Sequence, residues 1–136
     1  MNYIYAFTLL RAVLGINLFM HGLVRIKKGD RIFIDSLLKE FAQSGLPVSL
    51  LTIFGAMLPY TELIIGLMLI AGLLTQSVLI AGCLLMFVLL IGKSLVADWG
   101  IVTFQMLYIL IYCILLGGLK YNALSVDALI MVINKF

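Results

Sequence analysis

Residues 48–74 read VSLLTIFGAMLPYTELIIGLMLIAGLL, an apolar stretch in which Glu62 is the one acidic or basic side chain. A helix needs about 20 apolar residues to cross the hydrocarbon core of a bilayer, so this stretch is long enough to span a membrane. Its apolar residues are continuous and do not alternate with polar ones, which excludes the strand of a membrane barrel. The stretch therefore predicts a transmembrane helix, because a helix satisfies its own backbone polar groups in lipid.

Three other stretches have the same character, and together they give the fold class. They cover residues 3–24, 76–97 and 101–119. The chain of 136 residues is 65% hydrophobic and 11% charged, whereas soluble domains are roughly 45–50% apolar and about 25% charged. These values exclude a soluble domain. They predict a single all-α integral membrane domain over residues 1–136, built as a bundle of four transmembrane helices.

Two shorter segments are predicted to lie on the membrane surface. Between the first two spans, charged and apolar side chains recur at helical spacing over residues 30–44, which is typical of an amphipathic interfacial helix. Gly45 and Pro47 mark its end. Near the C-terminus, Ser125 is a candidate N-cap for a helix over residues 125–134 that is too short to cross.

The distribution of basic residues predicts the orientation. The first loop carries five basic side chains, whereas the other face has Lys120 and Lys135. Under the positive-inside rule, the first loop is expected in the cytoplasm and both termini outside. The five residues of the loop are Arg25, Lys27, Lys28, Arg31 and Lys39.

The spans contain ionisable side chains that cost at least about 2.5 kcal/mol each near a bilayer centre unless they are paired or hydrated. Counted at 1.5 Å per residue from the face with the termini, Arg11 lies about 12 Å deep and Glu62 about 18 Å deep. We therefore expect these two side chains to form an ion pair. By the same count His21, Lys93 and Gln105 form a second polar layer near the loop, about 25–27 Å deep.

Small residues on the same helical faces support this grouping. Gly15 and Gly22 share the face of Arg11, and Gly66 shares the face of Glu62. Since small residues mark surfaces where membrane helices approach closely, these charges are expected on the packed side of the bundle.

The polar residues are candidates for a site, and each also has a structural interpretation. Arg11 and Glu62 equally fit an ion pair that fixes the helix register, and Lys93 fits a side chain that extends to the lipid headgroups. Cys83 and Cys113 lack the spacing of a redox pair, and the chain carries no metal-site or nucleotide motif. As catalytic candidates we take Glu62 and His21; as cofactor-binding candidates we take Arg11, Glu62, Lys93, Gln105 and Tyr108.

The order of these features resembles the DoxX family of small four-span membrane proteins. The residues that carry the resemblance lie in the first 95 positions: Leu10-Arg11, Gly15, His21-Gly22, Lys27, Glu62-x-x-x-Gly66 and the turn Gly72-Leu73-Leu74-Thr75. The family includes the small subunit of thiosulfate:quinone oxidoreductase. The resemblance implies a quinone-linked or redox-associated subunit in a prokaryotic plasma membrane.

Two functions remain open at this point. The first is a redox subunit in which Arg11 and Glu62 flank a quinone site, with His21 or Glu62 handling protons; electrons then come from a soluble or membrane oxidoreductase partner. The second is a non-enzymatic structural or assembly subunit of a larger membrane complex. A small transporter is less favoured because the chain lacks clear inverted repeats. Nucleic acid is not expected as a partner, and homo-oligomerisation stays open.

Overall fold

The computed structural model describes residues 2–134, and helices account for most of them. The helices are α1 (Asn2–Lys28), α2 (Asp30–Glu40), α3 (Val48–Ala71), α4 (Thr75–Leu95), α5 (Trp99–Gly117) and α6 (Val126–Ile133), with a short 3₁₀ turn at Leu119–Tyr121. Four of these, α1, α3, α4 and α5, are long and apolar enough to cross a membrane. The chain is thus an all-helical, multi-pass membrane protein, as its sequence predicts.

The helix ends differ from the predicted ones by a few residues. The first span continues to Lys28 instead of ending at residue 24, and α2 ends at Glu40 instead of residue 44. The second span ends at Ala71 because Gly72 takes a left-handed conformation, with φ of 69°, and its N–H donates to the carbonyl of Met68 at 2.8 Å. In the last helix Ser125 is the N-cap, as predicted, and accepts a hydrogen bond from the N–H of Ala128.

The four long helices form a closed bundle. Helix α1 packs most extensively on α3, and α4 on α5, while α3 also contacts α4 and α5 contacts α1. The core between them is apolar and includes Leu14, Leu18, Leu69, Leu79 and Leu115, each at most 2% exposed. The large apolar side chains on the outer faces of the same helices are exposed, as expected for a bundle whose solvent is lipid.

Glycines set the close approach of α1 and α3. A Cβ on Gly15 would lie 2.9 Å from the carbonyl oxygen of Gly66, and a Cβ on Gly22 would lie 2.7 Å from the backbone nitrogen of Leu63. The two backbones are therefore in direct contact, which is the packing that small residues permit between membrane helices. The predicted packed faces of both helices are confirmed.

Helix α2 lies across the loop end of the bundle. Its buried Leu37 packs with Phe41 and Leu51, and the side chains of Ile34 and Leu37 approach Gly55 of α3. We call this end of the bundle the loop side, and the opposite end, with α6, the terminal side. The structure contains no bilayer, so the placement of α2 and α6 at the membrane surface stays a prediction.

Candidate functional site

Arg11 lies at the terminal side, where it binds backbone carbonyls. Its guanidinium donates to the carbonyls of Leu69 and Ile70 and, at 2.8 Å, to that of Leu124 just before α6. The side chain is 2% exposed. Because the last carbonyls of a helix lack partners within the helix and carry partial negative charge, this cation caps the C-terminus of α3.

Glu62 pairs with Arg25. The guanidinium of Arg25, near the end of α1, donates to the carboxylate of Glu62 in the middle of α3. The side chain of Glu62 is 4% exposed and that of Arg25 is 26% exposed. The predicted ion pair between Arg11 and Glu62 is therefore wrong.

The register between α1 and α3 explains this error. Gly22 lies against Leu63, whereas Arg11 lies beside Gly72, at the end of α3. Glu62 is therefore level with a position about 11 residues farther along α1 than Arg11, or about 16 Å. The depth count places the start of α1 and the end of α3 at one level, but the first residues of α1 extend beyond the end of α3.

Arg25 is the site residue that sequence reasoning missed. The sequence places Arg25 in the first loop because the predicted first span ends at residue 24, whereas α1 continues through it. Helical side chains point toward the N-terminus of their helix, so the long side chain of Arg25 reaches back to Glu62. A signal was present, because Arg25 lies only about 40° from Arg11 around the helix and thus shares the packed face.

A second group of charges joins α2, α4 and the start of α5. The Lys93 ammonium donates to the carboxylates of Glu40 and, at 3.2 Å, of Asp98. Asp98 also accepts a hydrogen bond from the N–H of Ile101 as the N-cap of α5. Lys93 thus faces protein carboxylates and is about three-quarters buried.

Between α2, α3 and α4 the loop side contains an apolar groove of about 330 Å³, which we call the α2–α4 groove. Three charged side chains, Arg25, Glu40 and Lys93, stand beside an otherwise apolar lining. The Arg25 guanidinium also lies over the ring of Phe33, 4.8 Å from its centroid. Among the apolar residues of the lining are Leu37, Phe41, Leu51, Phe54, Leu58 and Leu89.

The other predicted site residues lie elsewhere. His21 is exposed and lines a separate groove between α1 and α2. Tyr108 accepts a hydrogen bond from the side-chain amide of Asn17 at 3.1 Å. Gln105, three residues before Tyr108, is 7% exposed, and its Oε1 has no hydrogen-bond partner within residues 2–134. The structure does not bring the predicted polar layer of His21, Lys93 and Gln105 together, because His21 is exposed in the groove between α1 and α2 whereas Lys93 binds Glu40 and Asp98.

At the terminal side, a carboxylate of α6 joins that helix to the start of α4. Asp127 of α6 accepts hydrogen bonds from the N–H groups of Leu74 and Thr75, both at 2.7 Å, at the start of α4. Burial raises the pKa of Asp127, but the hydrogen bonds from Thr75 and Leu74 and the charge of Arg11 outweigh it, so the pKa lies below its ordinary value. An anion thus caps the N-terminus of α4 beside the cation that caps α3.

The two cysteines are free thiols; Cys83 is partly buried and Cys113 is exposed. Within residues 2–134, no group of three or more His, Cys, Asp or Glu side chains is arranged to hold a metal ion.

A protein-family model matches most of the chain. The family model of DoxX matches residues 6–99, which is more than half of the chain. Neither a curated protein nor a solved structure matches the sequence significantly.

Proposed function

Because the chain belongs to the DoxX family, we propose that it is a quinone-binding membrane subunit of a redox assembly, with its site in the α2–α4 groove. The observation that carries this proposal is the groove itself: an otherwise apolar groove of about 330 Å³ beside which stand two cationic side chains and the carboxylate of Glu40, which binds one of them. Ligand sites of this kind are mostly apolar, with a few placed polar groups that fix the orientation of the ligand.

The residues present fit a quinone. A quinone has a flat ring with two carbonyl oxygens and an apolar tail, so it needs hydrogen-bond donors at the ring and an apolar path for the tail. Arg25 and Lys93 supply donors, and Phe41, Phe54 and Leu58 supply apolar surface. A quinone, when bound, supplies the capacity to take up two electrons and two protons.

The chain's own residues then have distinct roles. Arg25 is the candidate ligand of a carbonyl oxygen, and Glu62 is a positioning residue, because it holds the Arg25 guanidinium without lining the groove. As a buried carboxylate, Glu62 is also the candidate proton carrier. Lys93 is the second candidate carbonyl ligand. Arg11, in contrast, is assigned to the helix cap that it forms, and His21 lies outside this groove.

Electrons have to come from a partner, because the sequence carries no nucleotide-binding motif. We infer a soluble or membrane oxidoreductase that docks at the loop side, near the groove. In this arrangement α2 and α6 lie on opposite surfaces of a prokaryotic plasma membrane, with the first loop in the cytoplasm and the termini outside.

The test measures quinone retained by the protein during purification in mild detergent. Gly92 lines the groove, and a Cβ there would meet nothing closer than a Phe41 ring carbon at 3.5 Å, so Gly92→Leu fills the groove without a backbone clash. Gly117→Leu is the matched control, because a Cβ at Gly117 has no neighbour within 4 Å and this position is outside the groove. We expect extractable quinone in the wild type and in Gly117→Leu, and at least a tenfold loss in Gly92→Leu. Absence of quinone from all three proteins contradicts the proposal.

The alternative is a structural or assembly subunit, which the Arg25–Glu62 pair also favours because it fastens α1 to α3. Glu62→Gln distinguishes the two functions. If the chain is a purely structural subunit, Gly92→Leu should assemble normally into the larger membrane complex, whereas Glu62→Gln should assemble less well. A quinone subunit predicts loss of quinone in both variants.

A further inference from the structure

A second groove on the loop side faces outward between α1 and α2, and we call it the α1–α2 groove. It has a volume of about 520 Å³. Arg25 and Phe33 line both this groove and the α2–α4 groove. The quinone proposal uses none of the other residues of the α1–α2 groove.

The lining changes in character along α1. At the loop end are Arg25, Lys28 and the Ser36 hydroxyl, and farther into the membrane α1 contributes Asn17, Met20, His21 and Val24. The lining residues of α1 run from Asn17 to Lys28, a rise of about 16 Å. Met20 and Val24 are 46% and 41% exposed. The groove is therefore cationic at the loop end, and its deeper part combines the apolar side chains of Met20 and Val24 with the polar ones of Asn17 and His21.

The charge in this groove has one sign. Its lining contains two cations, Arg25 and Lys28, and no acidic residue. The acidic side chains nearby are engaged elsewhere: Asp30 accepts a hydrogen bond from the Tyr60 hydroxyl, and Glu62 pairs with Arg25 from the bundle interior. Lys28 thus brings positive charge to the groove with no acidic residue in the lining, and Arg25 adds hydrogen-bond donors while its charge is paired with Glu62.

We propose that the α1–α2 groove binds one anionic phospholipid, with the phosphate at Arg25 and Lys28 and an acyl chain along Met20 and Val24. A lipid headgroup and free phosphate both carry the phosphate that these cations would bind, but the exposed apolar surface of Met20 and Val24 favours an amphiphile. Basic pockets between membrane helices on the cytoplasmic side are suited to anionic headgroups. The proposal shares Arg25 with the proposed quinone site, so its test depends on Lys28, which lines the α1–α2 groove and not the α2–α4 groove.

The experiment uses the purified full chain in detergent, titrated with phosphatidylglycerol or phosphatidylcholine, with bound lipid counted by native mass spectrometry. Lys28→Gln is the test variant. Lys27→Gln is the matched control. It removes the same charge at the neighbouring position, and the side chain of Lys27 does not line the groove. Both lysines are exposed, so neither variant is expected to disturb folding.

We expect the wild type to retain one phosphatidylglycerol with at least a fivefold preference over phosphatidylcholine. Lys28→Gln should weaken phosphatidylglycerol binding about fivefold, Lys27→Gln less than twofold, and Lys28→Arg should keep the wild-type affinity. Equal weakening by Lys27→Gln and Lys28→Gln, or no preference for the anionic lipid, overturns the proposal. Displacement of the lipid by millimolar inorganic phosphate overturns it too, since the site then recognises free phosphate.

Discussion

Removal of either partner of the Arg25–Glu62 pair should destabilise the bundle, and by different amounts. In Arg25→Gln the Glu62 carboxylate, 4% exposed, loses its partner, and breaking a buried pair in this way costs about 3–5 kcal/mol. In Glu62→Gln the charge left behind is the Arg25 guanidinium, 26% exposed. A long side chain of this kind can extend to water, so the cost should be smaller, about 1–2 kcal/mol.

Combining Arg25→Gln with Glu62→Gln separates the energy of the ion pair from the cost of leaving one charge without its partner. If the two side chains interact as the structure shows, their coupling energy should be about 1–3 kcal/mol. The control cycle combines Arg11→Gln with Glu62→Gln, and its coupling should stay within about 0.5 kcal/mol, because Arg11 binds backbone carbonyls instead. The assay is unfolding by SDS in mixed micelles, followed by circular dichroism. A strong coupling in the control cycle, or none for Arg25 with Glu62, would refute the register described above.

Three further perturbations test the packing and the terminal side through the melting temperature. Gly22→Ala places a Cβ 2.7 Å from the backbone nitrogen of Leu63, so it should destabilise by about 1–3 kcal/mol while Gly117→Ala does not; equal effects would contradict the α1–α3 contact. Asp127→Asn should lower the melting temperature at pH 7. Because the pKa of Asp127 is depressed in the folded state, its contribution is present above the ordinary value of 3.8 and is lost as the pH falls through the lower folded value. The gap between wild type and variant should therefore close in that range, and a gap that is constant down to pH 2 would contradict the cap. Tyr112→Phe removes a buried hydroxyl that has no hydrogen-bond partner within residues 2–134, so it should be neutral or stabilise by up to about 1 kcal/mol, and a marked loss would reveal a hidden partner.

Periodicity within a helix was sufficient to predict which faces are packed. The glycines that share a face with Arg11 and with Glu62 do lie in the α1–α3 contact, because backbone approach is impossible where a larger side chain intervenes. The Ser125 cap was predictable for the same reason, since it depends on a hydroxyl three residues before the N–H that donates to it.

Relations between helices were not predictable from a single sequence. The partners of Arg11 include the carbonyl of Leu124, 113 residues away, and no local pattern signals that the C-terminal segment folds back on α3. Glu62 pairs with Arg25 and not with Arg11 because of the axial position of α1 relative to α3. That register is set by the shapes of both helix surfaces, whereas hydropathy fixes only the approximate span of each helix.

The central claim, a quinone in the α2–α4 groove, can be tested most directly with the protein's single tryptophan. Trp99 follows Asp98, whose carboxylate binds Lys93 at the groove, and quinones quench nearby tryptophan fluorescence. A short-chain ubiquinone titrated into nanodiscs that contain the wild-type protein should quench Trp99 saturably, with an apparent affinity at least tenfold weaker in Gly92→Leu. Quenching that rises linearly without saturation, and equally in both proteins, would show that the quinone reaches Trp99 only from the bulk lipid and that the groove does not bind it.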